Sequence, residues 1–394
     1  MKQELCVKSI NEGNKFKEIY NQTRRNHPEA AVHLPFAKCE NLMFKWRRTT
    51  WPRRPNSLRE YAQLLNSQEY DSWRQYNGGE FTVSHITDIA GSNSVIFIDP
   101  LFAKKINEGN SLNIDGTFKI VPQIDDGNMF VTFMMSRFNH GFPLAYALME
   151  NKTETAYRSV FHEIQRIVPE FSATTIMTDY EPALQNSARA FFPNGEHHAC
   201  YYHYTQSIYR NAVQLDLKVY LTNDREGNQF LRQILALGLL PHHVVQQTYR
   251  AIKRSKSQRC LRIMRAFLMY FERHWLRNIT PRVFSVFGLA KRTNNTIESY
   301  HKVLKSHFGI HSAIWAFTKS LLSFQEGFIL DLKTLERGNQ LTRTPKAITI
   351  MRDQFITYGW TELQAGRKTP LEFLNEYVAF NRQPLERYLD IFGM

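Results

Sequence analysis

The order of β-rich and helical stretches between residues 111 and 200 limits most strongly how this chain can fold. Ser111–Val121 is an apolar, β-branched run, and an Asp125-Asp126-Gly127 turn separates it from Asn128–Arg137, rich in Val, Phe, Thr and Met. Asn139-His140-Gly141 is a second turn signal, followed by Phe142–Met149. Such runs joined by Asp-Gly and Asn-rich turns predict a three-stranded meander. Glu154–Val168 then repeats apolar residues at helical spacing, with Tyr157, Val160, Phe161, Ile164 and Val168 on one face. A strand at Ala173–Thr178, a helix at Pro182–Phe192 and a short strand at His197–Cys200 complete the series.

The resulting order, βββαβαβ, is that of an α/β protein with a ribonuclease-H-like mixed sheet, whose first and fourth strands lie side by side. Asp115 in LNIDGTFKI and Asp179 in TTIMTDYEP are then expected to be neighbours, although 64 positions separate them. Five regions are expected. Residues 1–93 are a basic, helical connector with a short helix opened by Ser57 and an extended arm around FKWRRTTWPRRP, where prolines break any long helix. Residues 94–205 are the first part of the core. Residues 206–290 are an all-helical, basic insertion, clearest at Leu231–Leu240, His243–Arg254 and Gln258–Leu276. Residues 291–340 complete the core with helices at Asn295–Phe308 and Ala313–Leu335. Residues 341–394 form a helical extension, with segments at Thr361–Gly366 and Pro370–Phe380.

Three acids stand out, each with a plainer alternative. Asp115 sits in an apolar strand, where an uncompensated carboxylate is costly to bury, so a metal or catalytic role competes with a turn formed with Gly116. Asp179 follows a strand and opens a helix, a position an N-cap aspartate also fills. Glu298 stands three residues after Asn295, the spacing of a capping box. Two strand-borne aspartates and one helix-borne glutamate are the oxygen ligands that two Mg²⁺ or Mn²⁺ ions require, and such a pair clamps the oxygens of a phosphoryl transfer. Asp125 and Asp126 are explained by hairpin chemistry, and Glu181 by the helix dipole.

The charge is unevenly placed. Residues 250–305 hold fourteen Lys and Arg against Glu272 and Glu298, a net of +12, whereas residues 111–200 hold six basic and ten acidic side chains, a net of −4. A basic segment beside an acidic centre suits double-stranded DNA gripped through its phosphates by Arg250, Lys253, Arg254, Lys256, Arg259, Arg262, Lys291, Arg292, Lys302 and Lys305. A solvated helix face is the alternative. Phe267, Tyr270, Phe271 and Trp275 recur at helical spacing as core, with base stacking as the minority reading. Cys6, Cys39, Cys200 and Cys260 lack the pairing of a disulfide framework or a four-cysteine zinc module. The polar N-terminus shows no signal peptide, and basic clusters at Lys45–Arg48 and Arg53–Arg54 point to the nucleus. No phosphate-binding glycine loop, GxSxG or dinucleotide fingerprint is present.

Four segments together resemble the transposases of Mutator-like elements: NIDGTFKI, MTDYEPAL, ACYYHYTQSIYR and RTNNTIESYHKVL. The family pattern is an Asp, a second Asp, Cys-x-x-His, then a distant Glu behind a helical insertion. Asp115, Asp179, Cys200/His203 and Glu298 fall in that order. The resemblance implies a DDE triad with two divalent ions, DNA strand cleavage and transfer at element ends, and a place beside the site for Cys200 and His203. A homodimer is a further expectation. Relatives often carry an N-terminal zinc finger; Cys6, Cys39, His27 and His33 do not have its spacing, so no structural zinc is expected. A domesticated, non-transposing DNA-binding protein is the alternative.

Overall fold

The computed structural model describes residues 1–293, 295–308, 311–341 and 347–380, with side chains for all of these except 295, 296, 298, 307 and 308. The chain forms two compact units. The first comprises Met1–Thr174, Pro182–Asn194 and Tyr300–Leu341; the second comprises Thr175–Glu181, Gly195–Ser299 and Thr342–Met394.

The first unit opens with four helices, α1 (Lys2–Asn11), α2 (Phe16–Asn26), α3 (Pro28–His33) and α4 (Phe36–Thr50). Their small core is Leu5, Ile19, Tyr20, Cys39 and Met43. Arg47 of α4 points inward and donates to the carbonyls of Ser9, Glu12 and Asn14 at 2.9–3.0 Å. Its guanidinium lies over the rings of Phe16 and Trp51, and burial pulls its pKa down to about 10. The extended arm expected around residues 44–55 is therefore corrected. The segment is helical to Thr50, because its prolines at 52 and 55 fall after the helix end.

α5 (Leu58–Leu65) is capped as expected, with Ser57 Oγ accepting from the Glu60 N–H. A second anchor was not foreseen. The Leu58 N–H donates to Asp126 Oδ1 at 2.8 Å, so Asp126 holds a helix start as well as a turn. A short hairpin, β1 (Gln75–Tyr76) and β2 (Gly79–Glu80), turns at Gly78, whose φ of +100 suits only glycine.

The sheet of this unit contains β3 (Thr82–Thr87), β4 (Asn93–Ile98), β5 (Ser111–Thr117), β6 (Met129–Arg137) and β7 (His140–Met149), with α6 (Pro100–Ile106) between β4 and β5. The strands run β3-β4-β7-β6-β5, antiparallel throughout. The meander is present, and β3 and β4 extend it by two strands. Strand alternation divides its residues between two faces. Phe133 meets Phe161 of α7 (Glu154–Ile167), which also stacks on Phe191 of α8 (Pro182–Phe191). Phe130, on the other face, meets Phe317 of α17 (Ile314–Glu336). Tyr300 of α16 (Asn295–Phe308) reaches the same face and donates to Tyr146 Oη at 3.0 Å.

The second unit is built on a parallel pair, β8 (Thr175–Thr178) and β9 (Glu196–Ala199). Helices follow: α9 (Tyr201–Gln214), α10 (Lys218–Asn223), α11 (Arg225–Ala236), α12 (His242–Arg254), α13 (Gln258–Ile263), α14 (Arg265–Tyr270) and α15 (Pro281–Phe284). The single helix expected at Gln258–Leu276 is three pieces, broken at Met264 and turning π-helical over Phe271–Ile279. Phe267, Phe271 and Trp275 are buried core. Tyr204 stacks flat on Phe284 and meets Trp275 edge-on at 4.8 Å. α18 (Ala347–Gln364) is longer than the segment expected at 361–366, and its Trp360 donates to the Leu239 carbonyl at 2.7 Å. α19 (Pro370–Phe380) completes this core through Phe373, Leu374 and Tyr377. The fold is thus mixed α/β, mostly antiparallel in its strands and rich in helices. Among the described residues, no helix is long and apolar enough to cross a membrane.

Candidate active site

Asp115 stands on β5 opposite Thr132 of β6. Leu112 and Ile114 point into the apolar core, and alternation turns Asn113 and Asp115 to the other face. There Asp115 is only 6% exposed. A carboxylate at such depth is costly without compensation, and the compensation comes from α16. His301 Nδ1 lies 3.3 Å from Asp115 Oδ2, and its Nε2 lies 3.1 Å from Thr132 Oγ1. With the hydrogen on Nδ1, the ring donates to the carboxylate and accepts from the hydroxyl. Sequence reasoning passed over His301. The available signal was its place three residues after Glu298 in the same helix.

Asp179 follows β8 in the second unit, and its Oδ1 accepts from the Glu181 N–H at 3.0 Å. This bond to the residue two places on is an Asx-type turn. The next residue, Tyr180, meets Trp275 edge-on at 4.8 Å and so ties the loop to the core. Cys200 is fully buried at the start of α9, where its N–H donates to the Thr178 carbonyl. His203, one turn on, lines the same cavity as Asp179 and Glu181.

Glu298 lies in the first turn of α16, and its side chain is outside the described residues. Among the described residues, no group of three His, Cys, Asp or Glu side chains could hold a metal ion.

The ten basic residues differ in how free they are. Arg250, Arg254, Arg259, Arg262, Lys302 and Lys305 are exposed. Lys253 bonds Glu272 at 2.7 Å, and Arg292 pairs with Asp353. Lys256 and Lys291 are half-buried, and burial pulls the pKa of both down.

Residues 111–207, about a quarter of the chain, match the family model of the MULE transposase domain. The matched range contains Asp115, Asp179, Cys200 and His203 and ends well before Glu298. No curated protein matches the chain. Residues 111–207 are thus similar to the MULE transposase domain.

Proposed function

We propose that the chain is a DNA transposase that cleaves strands and joins them, with Asp115, Asp179 and Glu298 acting as one set of carboxylates. The observation that carries this reading is the buried Asp115 inside the transposase domain, held by His301 and Thr132. The apolar core alone gives no reason for a carboxylate at that depth. The donor chemistry fits hard divalent cations, since all three groups are carboxylates. Bound Mg²⁺ or Mn²⁺ supplies activation of the attacking oxygen and charge neutralisation at the leaving one. His301 fixes the orientation of the Asp115 carboxylate, and the exposed arginines of α12 and α13 grip phosphates without reading bases.

The antiparallel meander of the first unit and the parallel strands of the second support a ribonuclease-H-like arrangement of the βββαβαβ order, with the helices of residues 206–290 inserted before α16. Double-stranded DNA at element ends, a homodimer and the nucleus complete the reading.

The test is Mg²⁺- or Mn²⁺-dependent nicking of duplex DNA. Asp115→Asn is expected to lower cleavage by about three orders of magnitude or more, the scale of losing a charge-organising group at a phosphoryl centre. DNA binding is expected to survive. Equal cleavage by the variant and the unaltered protein refutes the assignment. Binding without cleavage under either metal makes the chain a non-transposing DNA-binding protein.

A further inference from the structure

One face of α9 is polar along its whole length. His203, Gln206, Ser207, Arg210, Asn211 and Gln214 recur at three- and four-residue steps and line a cavity of about 480 Å³. The opposite face, with Tyr201, Tyr204, Ile208 and Ala212, is buried in the core of the second unit. Surface helices usually turn charges outward. This face instead carries amides, a hydroxyl, an imidazole and one guanidinium.

Tyr270 and His274, at the junction of α14 and the π-helical segment, line the same cavity, and Tyr270 Oη lies 3.4 Å from Ser207 Oγ of α9. Their rings stack 5.3 Å apart at 11°. Trp275 Nε1 donates to Tyr270 Oη at 3.2 Å, and Trp275 meets His274 edge-on at 5.2 Å. Tyr270 is therefore a half-buried ring held flat by its neighbours. π-helical turns are frequent at functional sites, where a poorer hydrogen-bond ladder is kept for the side-chain placement it gives. On the same lining, Tyr180 Oη and Asn211 Oδ1 are buried without a hydrogen-bond partner among the described residues. Both atoms are closed off from solvent, and each is costly where it stands.

The chemistry of the walls selects the occupant. A bare anion is disfavoured, because Asp179 and Glu181 outnumber Arg210. A metal ion held at Asp179 leaves the amides of α9 and the ring of Tyr270 without a role. A greasy ligand leaves the amides unsatisfied. A flat, uncharged group with donors and acceptors on its rim matches all of these walls, and that is a nucleobase.

We propose that this cavity receives one unpaired nucleobase of the DNA strand, stacked on Tyr270 and bonded at its edge by the amides of α9. The proposal rests on reading the chain as a DNA-processing enzyme. Because Asp179 lines the same cavity, the base belongs to a nucleotide at or next to the processed phosphate.

The probe is a short oligothymidylate carrying a single 2-aminopurine, whose fluorescence is quenched when it stacks on an aromatic ring. The full chain is expected to bind it with quenching. Tyr270→Ala is expected to weaken binding about tenfold and abolish the quenching, the scale of one lost base–aromatic stack. Tyr270→Phe, which keeps the ring, is expected to retain both. Should Tyr270→Ala lower the melting temperature, the pair Asn211→Ala and Gln214→Ala takes its place, with the same weakening expected. A correctly folded Tyr270→Ala that binds and quenches like the unaltered protein overturns the proposal. So does equally tight binding of free 2-aminopurine nucleoside monophosphate, which makes this a free-nucleotide site. Duplex binding and nicking without any quenching sink the base pocket and leave the transposase reading standing. No binding to any DNA, together with no nicking, sinks both.

Discussion

At the scale of single residues, the decisive contact is between His301 and Asp115. The ring bridges two strands, since one nitrogen faces the carboxylate of β5 and the other the hydroxyl of β6. Removing it leaves a buried carboxylate and a buried hydroxyl without their partner, which costs about 1–3 kcal/mol. His301→Ala is therefore expected to lower the denaturation midpoint and to weaken metal-dependent nicking. His301→Asn is expected to recover part of both, because an amide can donate to the carboxylate and accept from the hydroxyl. Loss of stability with unaltered nicking makes His301 a fold residue alone. Asp126 teaches a related lesson. Its Asp-Gly context fully accounts for a turn, yet its carboxylate also caps α5 from 68 positions away.

At the scale of elements, Arg47 is the pin of the N-terminal helices. One guanidinium satisfies three carbonyls where α1 ends and α2 begins, and it stacks against two rings. Arg47→Met keeps much of the volume but strands those carbonyls. The expected cost is about 2 kcal/mol for α1–α4, read as faster amide exchange or proteolysis of residues 1–50 with the sheet still protected. Unchanged exchange there contradicts the role. The sequence predicts helices at Asn295–Phe308 and Pro370–Phe380, and the described residues there are helical, because apolar periodicity runs through both. It does not reveal β3, where Thr82–Thr87 alternates around a histidine and reads as a polar stretch. It also shows Gln258–Leu276 as continuous, since a π-helical turn has no periodic signature of its own.

At the scale of the whole molecule, buried titratable groups link stability to pH. His198 of β9 is held below its ordinary value of 6.5, chiefly by burial, with Glu196 opposing the shift. The folded chain therefore resists a proton that the unfolded chain accepts. Above 6.5 both states are neutral at this position and stability is unaffected by it. Below 6.5 the unfolded state gains protons first, so stability falls with pH until the folded-state value is reached. Urea midpoints measured from about pH 7.5 down to about 5 should decline, and His198→Gln should flatten that decline. An identical slope in the variant assigns the acid sensitivity elsewhere.

The sequence by itself determined the order of strands and helices in the domain, the apolar faces that become core, and the acids worth testing. These depend on local periodicity, turn chemistry and the cost of burying charge, all readable along the chain. Only the tertiary structure decided what those residues meet. His301 reaches β5 and β6 from 186 positions after Asp115, and Tyr270 meets Ser207 of α9 beside a cavity that no spacing encodes. Side-chain partners far apart along the chain follow from packing between elements, and packing is not periodic.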